Sequence, residues 1–145
     1  MKTSKRENIK ETVSKLVKKH KTRDPYKLLE SLGIKLQMAS LKNINGFYIK
    51  YRNVKTIVIN SNIEEDYQRF VLAHELGHAI LHPNENIQCL RENVFCKTMV
   101  FEVQANKFAP ELLIEDDILE YKEYSLSQIA SIKRVPVEIL ELKLS

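Results

Sequence analysis

The chain has 145 residues, 43% of them hydrophobic and 29% charged, with a net charge of +4; that suffices for one globular unit with a real core and excludes low complexity. Only three glycines and four prolines argue against a β-rich chain broken by many tight turns. No apolar run reaches the roughly 18 to 20 residues that span a bilayer, and the start, MKTSKRENIKETV, lacks the apolar stretch of a secretory signal, so a cytoplasmic protein is expected.

The charge is uneven: residues 1–23 hold nine Lys/Arg against two Glu, a net +7, which leaves −3 for the rest of a chain totalling +4. A basic segment can meet nucleic acid or an acidic partner. Here Ile9, Val13, Leu16 and Val17 form an apolar stripe at helical spacing, so Glu7 to His20 reads as an amphipathic helix with a solvated basic face. Asp24 as N-cap and Pro25 at the first helical position open a second helix that ends near Gly33. Three short runs rich in Ile, Val, Tyr and Phe follow, Ile34–Met38, Gly46–Tyr51 and Lys55–Asn60. They read as strands, the last two an antiparallel hairpin turning at Arg52-Asn53.

From Ile63 to His82 the apolar positions Phe70, Val71, Ala73, Leu76, Ala79 and Ile80 recur at helical intervals, and Pro83 marks the stop. A polar stretch from Asn84 to about Arg91 leads to a further helical pattern through Val100, Val103, Phe108 and Leu112, which Pro110 is expected to kink or divide. The tail predicts short helices over roughly Glu115–Tyr121, Ser127–Arg134 and Pro136–Leu144. With no internal repeat and no long linker, residues 1–145 are expected to form one domain: helices to 33, a small sheet over 34–60, site-bearing helices over 61–113 and C-terminal helices over 114–145. Cys89 and Cys96 lack paired C-x-x-C spacing and read as reduced thiols.

His74-Glu75-Leu76-Gly77-His78 carries the chemistry. Histidines four apart on a helix project from one face about 6 Å apart along its axis and can converge on one metal ion. Glu75, about 100° around the helix, is then placed to act on a water at the ion instead of binding it, the arrangement that hydrolyses peptide bonds. Gly77 leaves room for a close neighbour. A catalytic zinc needs a third protein ligand and an open fourth position, and His82, Glu85, Glu92 and Glu102 are the candidates. Three ligands from one straight helix surround an ion poorly, which counts against His82. Glu102 lies on a separate helix with Asn106 one turn on, so ligand and supporting amide could share a face. Periodicity alone favours an ordinary solvated glutamate at 102, so the third ligand stays open at this point.

The residues also resemble the ImmA/IrrE family of metallopeptidases. The resemblance rests on Ile57-Val58-Ile59-Asn60, an extended segment ending in Asn, and on Arg69-Phe70-Val71-Leu72-Ala73-His74-Glu75-Leu76-Gly77-His78-Ala79-Ile80-Leu81-His82. It is completed by Glu102-Val103-Gln104-Ala105-Asn106-Lys107-Phe108-Ala109-Pro110-Glu111-Leu112-Leu113. It covers about half the chain.

The resemblance implies an α+β fold, a mainly helical, reduced thermolysin-like metalloprotease core with a small three-stranded, largely antiparallel sheet. It implies one zinc ion held by His74, His78 and Glu102, with Glu75 as base and Asn106 in support. It also implies an endopeptidase acting on a protein substrate, a helix-turn-helix repressor of a phage or mobile element. A non-catalytic metal-stabilised regulator or a toxin of a toxin–antitoxin pair are the alternatives. For the oxyanion the candidates are Tyr48, Tyr51 and His82, of which His82 is preferred. Two positions depart from the pattern: Pro110 stands where the family usually has Ala, and Gln104 where it often has an acid. Residues Ser125 to Leu140 resemble half of a helix-turn-helix, but Pro136–Leu144 offers only Lys143 to phosphates, so a packing or partner-docking helix pair is expected instead of direct nucleic-acid binding.

Overall fold

The computed structural model describes residues 5–84 and 97–144; Glu85, Cys89, Glu92 and Cys96 lie outside them. Helix α1 (Lys5–His20) turns Ile9 and Val13 into the core, with Leu16 and Val17 half-buried beside them. Helix α2 (Pro25–Leu32) begins where the Asp24 side chain accepts the Tyr26 N–H at 2.9 Å, satisfying a donor that the first turn leaves free. It ends at Gly33, whose φ of 71° is the left-handed cap that glycine adopts without strain.

Strands β1 (Lys35–Ala39), β2 (Gly46–Tyr51) and β3 (Val54–Asn60) form one sheet in the order β1-β3-β2. The β2–β3 hairpin is antiparallel, as expected. Arg52 and Asn53 both take positive φ, 49° and 66°, the backbone of a two-residue turn whose twist matches the strands. Strand β1 instead joins β3 in parallel, pairing Leu36 with Ile57 and Ala39 with Asn60, so the sheet is mixed. The cause is the connection 40–45, which carries the chain over the end of β3 from one sheet edge to the other. Alternation marks a strand but says nothing about which neighbour it takes.

Helix α3 (Glu65–Leu81) lies across β2 and β3 and is buried without interruption from Val71 to Ala79, as a helix at the centre of a fold must be. Its main partner is α4 (Lys97–Leu113). The two approach closely because residue 77 has no side chain: a Cβ there would lie 3.0 Å from the Phe108 Cβ and 3.1 Å from its Cγ. Pro110 does not divide α4. It stands near the C-terminal end, so the hydrogen bond it cannot donate is one of the last, and its own carbonyl still accepts from the Ile114 N–H at 3.0 Å. Arg23 donates to the carbonyls of Glu111 and Leu112 at 3.0 and 3.1 Å, satisfying acceptors at this end.

A 3-10 turn (Asp116–Glu120) leads to α5 (Leu126–Lys133) and α6 (Val137–Leu144). Ser125 and Gln128 make a reciprocal capping box at the start of α5. Ile139 and Leu140 of α6 are buried, and α6 packs on α4. Its Lys143, with a side chain only 8% exposed, lies 3.1 Å from Glu111 and 3.0 Å from Asp116.

Replacing Gly77 by Val forces α4 away from α3. The expected result is a loss of about 1 to 3 kcal/mol of stability, seen in equilibrium urea unfolding as a lower midpoint with an unchanged slope.

Candidate metal centre

The contact between α3 and α4 brings together residues 24 to 28 positions apart in sequence. His74 Nε2 lies 3.0 Å from Glu102 Oε2, and His78 Nε2 lies 2.8 Å from Glu102 Oε1. A carboxylate only accepts, so each contact pairs it with an imidazole nitrogen, the same nitrogens that a metal ion would take as ligands. The two rings meet edge to face, centroids 4.9 Å apart, which is what a four-residue spacing on a straight helix delivers. His78 is fully buried and His74 nearly so, while the Glu102 side chain keeps about a third of its surface.

Burial and charge act in opposite directions here. Burial alone would raise the pKa of Glu102, but the two histidine hydrogen bonds and the charge on those rings outweigh it and hold the carboxyl well below the usual range. His74 loses to burial and gains more from the Glu102 hydrogen bond, from the charges of Glu75 and Glu102 and, least, from Asn106, so it is raised. His78 is lowered, because burial dominates and the neighbouring His74 adds to it. The opposite directions follow from position: His74 has Glu75 beside it as well as Glu102. Glu75 itself is raised to about 7, chiefly by burial.

The donor atoms of His74, His78 and Glu102 all lie within 4.8 Å of one another, a span suited to one divalent ion with ligands at about 2.0–2.2 Å. The donor chemistry fits as well: two imidazoles and a carboxylate suit first-row divalent metals. A further observation points the same way. Glu75 Oε1 is buried with no hydrogen-bond partner, a state that costs free energy unless something in the site engages it.

An open cleft of about 260 Å³ is lined by His74, Glu75, Glu102 and Asn106, by Phe70 and Val71, and by a wall of residues 43–46 at the connection between β1 and β2. His82 is not among the lining residues. It is buried, its ring centroid is 4.1 Å from that of Phe101, and burial followed by the charge of His78 lowers its pKa to about 4. The Tyr48 hydroxyl, another oxyanion candidate, is spent on the Pro83 carbonyl at 2.7 Å. Tyr51 is two-thirds exposed at the hairpin turn. The sequence shows no sign of the wall 43–46, because a loop joining two strands carries no periodic signal.

A sequence model of the M78 peptidases, described as the IrrE N-terminal-like domain, matches residues 29–145. The chain belongs to the IrrE N-terminal-like peptidase family. An uncharacterized immunity region protein 2 of Bacillus phage phi105 is 42% identical over 139 residues, covering 93% of this chain and 88% of that protein. The metallopeptidase ImmA of Bacillus subtilis strain 168 is 32% identical over 145 residues, covering 94% and 84% respectively. This IrrE-like peptidase chain is thus a metallopeptidase by family, and it holds a metal-competent cluster where α3 meets α4.

Metal uptake can be read as stability. Zn²⁺ present at a hundred times its dissociation constant should stabilise the native protein by about 2.7 kcal/mol, reversibly with chelator. In Glu102→Gln the thermal shift on adding Zn²⁺ should vanish at that concentration, the direct check that residue 102 is a ligand.

Proposed function

We propose that the chain is a zinc-dependent endopeptidase, one domain over 1–145. Its substrate in this reading is a cytoplasmic protein, a helix-turn-helix repressor of a phage or mobile element, whose cleavage relieves repression. One observation carries the proposal: a buried carboxylate, Glu75, with a free oxygen and a raised pKa, borders the same cleft as His74 and Glu102 of the His74–His78–Glu102 cluster. A ligand cage without hydrolytic purpose has no use for a second, uncommitted acid.

His74, His78 and Glu102 would hold the ion. A zinc ion held there would supply Lewis acidity to the scissile carbonyl and lower the pKa of a water beside it. Glu75, buried beside the cluster with an unpartnered oxygen, would accept a proton from that water and deliver it to the leaving amine. Asn106 steadies the His74 ring. His82 acts at one remove: stacked on Phe101, it ties the end of α3 to α4 and so holds His78 in place.

The open cleft suits a stretch of polypeptide; enclosed small-molecule pockets run to about 300–1,000 Å³. The repressor as substrate is supported by the family resemblance and by the relative named for a phage immunity region. A cytoplasmic location agrees with such a substrate, and no helix among the described residues is long and apolar enough to cross a membrane.

Glu75→Gln should keep zinc bound with near-normal affinity while cleavage falls at least about a hundredfold. The measurement uses purified protein, zinc and the repressor encoded beside it, with mass spectrometry for a defined cut. Normal cleavage by the variant, or repressor release without any cut in the wild type, would overturn the mechanism.

A further inference from the structure

Asn60 closes β3 beneath the cleft wall. Its side chain is buried, with the residue 5% exposed, and it uses the full hydrogen-bonding capacity of a primary amide. Oδ1 accepts from the Asn62 N–H at 2.9 Å and the Leu41 N–H at 3.3 Å; Nδ2 donates to the carbonyls of Leu41 and Ile44, each at 3.1 Å. Its backbone N–H donates to the Asn45 carbonyl at 2.8 Å. Four of these five partners lie in the connection 40–45, the segment that crosses the end of β3.

The far end of that segment is fixed independently. A Cβ on Gly46 would lie 2.7 Å from the Val58 carbonyl oxygen and 2.8 Å from Val71 Cγ1. The wall therefore starts pressed against both β3 and the helix that carries His74. Between these two anchors Asn43, Ile44 and Asn45 line the same cleft as His74, Glu75 and Glu102. The wall offers amide groups and one apolar side chain, and no charge.

We propose that Asn60 is a positioning residue for the peptide substrate: it sets the height of the Asn43–Asn45 wall above α3, so that the amides of the wall meet the main chain of an extended, uncharged peptide segment. The inference rests on the peptidase reading. Uncharged amide groups are matched by what every peptide carries, its N–H and C=O groups, while Ile44, Phe70 and Val71 favour apolar side chains between them. A wall held in place before binding spares the substrate the entropy of ordering it. A looser wall would therefore weaken peptide binding without touching the metal ligands.

The test compares two probes on the full-length, Co²⁺-loaded protein, with binding read from the cobalt visible spectrum: acetohydroxamate, which needs only the metal, and a Leu-Ala peptide hydroxamate, which also needs the wall. The wild type should bind the peptide probe at least tenfold more tightly. Asn60→Asp keeps the two acceptor contacts but cannot donate to the Leu41 and Ile44 carbonyls. It should lose most of that advantage, while its affinities for acetohydroxamate and Co²⁺ stay within twofold. The exposed-loop double variant Asn43→Ala/Asn45→Ala, which leaves the core untouched, should lose it too. In metal-free protein, Asn60→Asp should speed amide hydrogen exchange at residue 60, whose N–H bonds the Asn45 carbonyl of the wall, at least tenfold and leave α3 unchanged. Unchanged peptide-probe affinity in both variants overturns the proposal, as does parallel loss of both probes and of Co²⁺ in Asn60→Asp. If the wild type binds neither Co²⁺ nor acetohydroxamate, the peptidase reading fails first and takes this proposal with it.

Discussion

Two imidazoles on one helix share a single carboxylate on another, and most of the fold serves to hold those two helices at the separation this requires. Hydrogen bonds of 2.8 and 3.0 Å between His78, His74 and Glu102 tolerate little sliding. Gly77 lets α4 come near enough, and Phe108 fills the space its missing side chain leaves. Helix α4 is in turn braced from outside, by α1 and α6 packing on it, by Arg23 on its last carbonyls and by Lys143 on Glu111. A buried ion pair such as Lys143–Glu111 adds little net stability but penalises any alternative placement of α6. Orientation, more than stability, is what a three-donor cluster demands of its surroundings.

The other side of the cleft belongs to the sheet. Strand β2 reaches α3 twice: Gly46 abuts Val71, and Tyr48 donates to the Pro83 carbonyl just past the helix end. These contacts set the wall 43–46 relative to the histidines. Glu75 lies between the two halves, buried enough for its proton affinity to approach neutrality. In solvent the same side chain would be a plain carboxylate and a feeble base. Burial is what sets it apart from a solvated glutamate.

The C-terminal helices do packing work. Ile129, Ala130, Val135, Ile139 and Leu140 are all buried, and Lys143 is engaged by acids on α4 and the 3-10 turn. Arg69, which begins the motif of α3, donates to the carbonyls of Lys133 and Arg134 at the end of α5, at 3.5 and 3.4 Å. Arg69 thus joins the helix that carries His74 and His78 to the tail.

What the sequence determined by itself was local. Spacings of 3.6 and 2, the Asp24-Pro25 cap, and the four-residue step from His74 to His78 depend only on neighbours along the chain, so helices, strands and the paired imidazoles were legible to within a residue or two. Gly77 pointed to a close neighbour without naming it. Tertiary structure alone decided the rest, because each remaining question concerned contacts between distant segments. The parallel pairing of β1 depends on where the 40–45 connection crosses. The continuity of α4 through Pro110 depends on how near its end that residue stands. The ring of His82 turned from the cleft to Phe101, and Glu102, which periodicity alone would have left in solvent, was drawn onto two histidines 24 and 28 residues away.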